Sequence, residues 1–135
     1  MRLINSVRVA LVVVMSAVPA MSAAQELTKI DRQGPVTVTV KLSARPVVGL
    51  PFKARVILDT HSVSLDDLVF EKIVAFRAPD GGDVAPVGIE EVKGGGHHRE
   101  AVLVFGAPRG PVLIVVKNVG GVAERNFSWD LPATR

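Results

Sequence analysis

The sequence predicts an all-β fold, a single antiparallel β-sandwich of about seven strands. Three observations carry this. Apolar and polar residues alternate with period two in segments rich in Val, Thr and Ile, the signature of half-buried strands. Clusters of Gly, Pro, Asn and Asp recur roughly every 8–15 residues and punctuate those segments. No amphipathic helix longer than a turn interrupts the series, which favours a sandwich over alternating helix and strand layers. The 135 residues leave room for one domain.

Residues 1–24 read as a leader outside the fold. Arg2 and Arg8 precede the apolar run Val9–Met15, and small residues fill Ser16–Ala24, the n, h and c regions of a secretory signal. Cleavage is expected before Gln25, with cleavage after Ala20 as the second choice. An uncleaved anchor is the runner-up, but a spanning helix needs about 20 apolar residues, and Ser16, Pro19 and Ser22 break this run. The expected compartment is therefore the periplasm or the exterior, with no membrane span in the mature chain.

Removing the leader changes the composition. The chain is 48% hydrophobic with a formal net charge of +3. The remaining 111 residues are about 43% hydrophobic, an ordinary globular value, and carry a net charge of +1 because Arg2 and Arg8 are lost. A nucleic-acid binder concentrates its cations on one face, whereas Lys41, Arg45, Lys53, Arg55, Lys72, Arg77, Lys93 and Arg99 are interspersed with acids. Nucleic acid and anionic membrane are excluded as partners on this ground. Cysteine is absent, which removes disulfides, thiolate zinc sites and thiol nucleophiles together. The domain must hold by burial alone, and about 100 residues suffice for a sandwich core.

Residues 25–34 form a polar, extended lead-in, and the sandwich is expected over 35–132. Val36, Val38, Val40 and Leu42 alternate with Thr37, Thr39 and Lys41 as a first strand. The turn 44–51, with Pro46, Gly49 and Pro51, leads to a second strand in which Phe52, Ala54, Val56 and Leu58 alternate with Lys53, Arg55 and Ile57. Ser64, three residues ahead of Asp67, is placed to cap one helical turn. A third strand spans Phe70–Arg77, and the turn 78–83 folds Val84–Val92 back across it. Pro86 marks that strand as an edge. Gly94–Gly96 form a loop before Arg99–Phe105, which is apolar on both faces and so central. Val112–Val116 and a last strand carrying Phe127, Trp129 and Leu131 complete the fold, with Trp129 filling the interior.

All three histidines lie at strand ends, in Asp59-Thr60-His61-Ser62 and Gly95-Gly96-His97-His98-Arg99. A sandwich gathers its loops at two ends, so His61, His97 and His98 can meet there with Asp59. Imidazole and carboxylate together suit copper(II) or zinc, with Arg99 and Arg125 as supporting or structural partners. Neighbouring residues on a strand point to opposite faces, so His97 and His98 both face His61 only if the loop conformation runs through them. The competing reading is that the histidines bond across the strand ends and serve the sandwich alone. With Met1, Met15 and Met21 all in the leader, soft sulfur ligation is excluded from the mature chain, and with it blue copper and copper(I) carriage. No catalytic residues are assigned: Gly-x-Ser-x-Gly is absent, and Asp66-Asp67 and Glu90-Glu91 read as solvated charges.

Three phrases together resemble a group of small exported bacterial and archaeal domains: Leu58-Asp59-Thr60-His61-Ser62-Val63, Gly95-Gly96-His97-His98-Arg99, and Lys117-Asn118-Val119-Gly120-Gly121-Val122 with Glu124-Arg125-Asn126-Phe127-Ser128-Trp129. The resemblance covers about residues 36–131. It implies an immunoglobulin-like or cupredoxin-like sandwich and brings no established activity. The expected function is an exported, non-enzymatic β-sandwich that binds a divalent metal through the histidines. The alternative is a structural or protein-interaction module of the cell envelope that binds no metal and meets an unknown envelope protein.

Overall fold

Period-two burial organises the chain. The computed structural model describes residues 27–131, so the expected leader lies outside the described residues. Its strands are β1 (Thr28–Asp31), β2 (Val36–Leu42), β3 (Phe52–Thr60), β4 (Val74–Arg77), β5 (Asp83–Val84), β6 (Gly88–Gly95), β7 (His98–Phe105), β8 (Val112–Val119) and β9 (Val122–Trp129), with one helical turn, α1 (Phe70–Ile73). Two sheets form, ordered β1-β2-β3-β7-β6 and β5-β4-β8-β9, and every pairing is antiparallel.

In β2 the residues Val36, Val38, Val40 and Leu42 are fully buried, while Thr37 and Thr39 are half-buried and Lys41 is exposed. Ala54, Val56 and Leu58 extend the same inner face from β3, and Ile114, Val116, Phe127 and Trp129 cover it from the second sheet. Phe52 locks one end of this core, stacked on Phe105 at 5.2 Å and edge-on to Phe76 at 5.7 Å. The order β2-β3-β7-β6 over β4-β8-β9 is the ABED and CFG arrangement of an immunoglobulin constant-type sandwich, with β5 in the C′ position and β1 added at the other edge.

Several local expectations are corrected. The polar lead-in supplies a strand, β1, which pairs with β2 from Thr28↔Lys41 to Asp31↔Val38. Phe70–Ile73 is a helical turn, because spacing three apart buries Phe70 and Ile73 together; the strand begins at Val74. Ser64 caps no helix, and its hydroxyl instead pairs with Asp66. The stretch 84–92 is two strands in two different sheets. β5 pairs with β4, the chain crosses between sheets through Pro86, and β6 then pairs with β7 as an edge strand. The triple glycine is mostly strand: β6 runs to Gly95, leaving a two-residue turn of Gly96 and His97. The last two strands form a hairpin closed by Gly120 and Gly121, both at positive φ, as that turn requires. The strands therefore number nine among the described residues.

Candidate functional site at the histidine end

The start of β2, the end of β3, the β6–β7 turn and the β8–β9 turn meet at one end of the sandwich. The register of β3 against β7 places Asp59 opposite His98. Their side chains share the outer face, and His98 Nδ1 lies 2.5 Å from Asp59 Oδ1. Both remain about half exposed, at 54% and 51%. Glu100, two residues along β7 and so on the same face, holds a carboxylate oxygen 4.0 Å from His98 Nε2. Arg55 in turn donates to Glu100 at 3.1 Å. Glu100 was not among the residues singled out from the sequence, although the spacing His98-x-Glu100 on a strand would have found it.

The other two histidines take separate positions. His97 occupies the second place of the β6–β7 turn, and its carbonyl accepts the Thr60 N–H at 3.0 Å. Both His97 and His61 are exposed. The structure thus joins Asp59 to His98. Among the described residues there is no group of three or more His, Asp or Glu arranged to hold a metal ion.

What fills this end is a set of fasteners. Gly96 donates its N–H to Asp66 Oδ1 at 2.7 Å, and Leu65 donates to the Gly96 carbonyl at 2.9 Å. The Gly96 N–H, followed by the Ser64 hydroxyl, holds the Asp66 carboxyl below its ordinary range, with the Arg99 and His97 charges adding to the effect. Arg99 donates from Nη1 to the carbonyls of Leu65 at 2.8 Å and Leu68 at 2.5 Å, while its guanidinium lies 5.3 Å from the Phe70 ring centroid. It clamps the segment between β3 and α1, which is a structural role. Gly94 must be glycine here: at φ 82°, a Cβ would run into the His98 carbonyl oxygen.

Arg125 is structural too, and further inside. Its side chain is fully buried and binds Asp31 Oδ1 at 3.0 Å. It also donates to the carbonyls of Val36 at 2.8 Å and Val119 at 3.1 Å, so one guanidinium ties β1, β2 and β8 together. Asp31 is partly desolvated, which raises its pKa, but the Gln33 N–H and side chain, with Arg125, bring it below the ordinary carboxylate range.

The opposite end has another character. The β2–β3 loop projects Val47, Val48 and Leu50, exposed at 55%, 39% and 57%. Gly49 donates to the Pro108 carbonyl at 3.0 Å and Leu50 to that of Val47 at 3.1 Å, so the loop is held while its apolar side chains face water. Sequence reasoning treated 44–51 only as a turn, although three aliphatic residues between Pro46 and Pro51 were the available signal. Among the described residues, no helix is long and apolar enough to cross a membrane. Compared with family models, with curated proteins and with solved structures, this chain has no match.

Proposed function

We propose that this chain is an exported, non-enzymatic β-sandwich of the cell envelope that works as a protein-interaction module. The carrying observation is the apolar tip of Val47, Val48 and Leu50. Three neighbouring aliphatic side chains held in water by a hydrogen-bonded loop favour a partner that presents an apolar recess. The histidine end supports the same reading, because its contacts, such as Thr60 N–H to His97 O and Gly96 N–H to Asp66, fasten the strand ends to one another. The resemblance to exported sandwich domains belongs to this proposal as well. A photo-crosslinking residue at position 48 in living cells tests it. One discrete envelope adduct is expected, lost when Val47 and Leu50 are changed to Ser and absent when the crosslinker is moved to Arg32. Adducts that are indifferent to those changes would refute the reading.

A second reading, a copper(II) or zinc site, is favoured by one observation, the meeting of Asp59 and His98 on an open face. His61, His97 and Glu100 would have to complete the ligand set, since a zinc site takes three or four protein ligands. Titration with each metal tests it: His98→Ala should abolish binding and His61→Ala weaken it. Equal binding by all three proteins would remove the site.

A further inference from the structure

A cleft of about 540 Å³ opens between the two sheets at the end opposite the histidines. Its origin is topological. β5 is only two residues long, and the chain then leaves its sheet through Pro86, so no strand covers the gap between β4 and the end of β7. The walls are mostly apolar, from Phe76, Val84, Ala85, Phe105 and Gly106, with Arg109 at the rim. The floor is preformed, because Phe76 and Phe105 are both packed on Phe52. The volume falls within the range of about 300–1,000 Å³ that small-molecule sites occupy.

The rim supplies the chemical discrimination. Arg109 is exposed and has no ion-pair partner among the described residues, which leaves its planar fork free for a bidentate carboxylate. Asp80 also lines the cleft, with Oδ1 accepting the Gly82 N–H at 2.9 Å. One cation and one anion on the same rim admit a single negative charge and oppose a second. We propose that this cleft binds a monocarboxylate with an apolar acyl or aryl body, the body lying against Phe76 and Val84 and the carboxylate held by Arg109. This site shares no lining residue with the docking tip, although the Gly49–Pro108 bond sets the tip's loop next to Arg109, and it does not rest on the docking proposal.

Calorimetric titration of the purified protein with octanoate, octanol and suberate tests the proposal. Octanoate should bind more tightly than octanol, its neutral counterpart, and more tightly than suberate, its dicarboxylate counterpart. Arg109→Gln should weaken octanoate at least about tenfold, the scale of one charged hydrogen-bond partner, and leave octanol unchanged. Gly106→Phe should abolish both, since Gly106 lines the cleft and a Cβ there meets nothing within 4 Å, which leaves room for the ring at the cleft wall. Unchanged circular dichroism and melting in both variants secures the comparison. Octanoate binding no tighter than octanol, or unaltered by either substitution, would overturn it.

Discussion

Arg125→Met isolates the largest single polar commitment of this fold. Methionine matches the length of the arginine stem and leaves little cavity, so the change reports the guanidinium itself. Its removal strips the donor from the Val36 and Val119 carbonyls and from Asp31. A buried carbonyl left without a partner costs about 1–3 kcal/mol, and removing one partner of a buried pair costs about 3–5 kcal/mol in all. For a domain of this size, 1 kcal/mol moves Tm by about 4 °C, so a fall of about 12–20 °C is expected. Differential scanning calorimetry at pH 7, with urea unfolding as a second probe, measures it. The balance is not one-sided, because Arg125 Nε is buried with no partner and its desolvation counts against the native state. A fall of less than about 4 °C, or a rise, would show that desolvation cancels the three bonds. The inference that Arg125 secures the histidine end would then fail.

Gly94→Ala and Gly96→Ala should separate two reasons for glycine. Both residues have positive φ, at 82° and 63°, but only Gly94 has backbone in the way of a Cβ; Gly96→Ala should cost about 1–2 kcal/mol and Gly94→Ala clearly more, as read by urea unfolding. Arg99→Gln should raise amide exchange in residues 61–69, which Arg99 clamps through the carbonyls of Leu65 and Leu68, with little change in β8 and β9. Asp83 is held well below the ordinary carboxylate range by Arg77 first and then by Lys117. A lowered native pKa gives stability that is present above the unfolded value of about 3.9 and is lost as pH falls through the native one. The Tm advantage of the wild type over Asp83→Asn should therefore narrow as pH drops from 5 toward 2, and an advantage that widens would refute the pairing.

The strands that could be read were those with one wet face. β2 and β3 alternate cleanly because their outer residues stay in contact with water, and β7 reads as central because β3 and β6 flank it. β6 has no buried residue at all, so its sequence carries no period to read. Its position is set from outside, by the turn at Gly96 and by an irregularity between Glu90 and Lys93 where Glu91 takes φ 48°. Phe70 and Ile73, three apart, share a face only in a helix, but the apolar run Ile73–Phe76 that follows directly draws them into the strand when the sequence is read alone. Arg125 reads from the sequence as a supporting or structural residue, but its ion-pair partner does not: Asp31 lies 94 residues away, a separation no local pattern encodes. Its inward direction was nevertheless legible, since it shares parity with Phe127 and Trp129 on β9.

The histidines show why a cluster of site-forming residue types is weak evidence until register is known. Their segments do converge, but convergence of backbones is a different matter from convergence of side chains. The β3–β7 register selects His98 for Asp59 and commits His97 to a turn whose carbonyl serves Thr60. At that end donors and acceptors answer one another, the Gly96 N–H the Asp66 carboxylate and the Arg99 guanidinium the Leu65 and Leu68 carbonyls. Groups satisfied in this way have little interaction free energy left for a partner, because binding would exchange one hydrogen bond for another. Aliphatic side chains such as Val47 and Leu50 have no comparable internal alternative, and their burial against a second surface gains the full hydrophobic term. The proposed docking role therefore belongs with the apolar tip, at the end opposite the histidines.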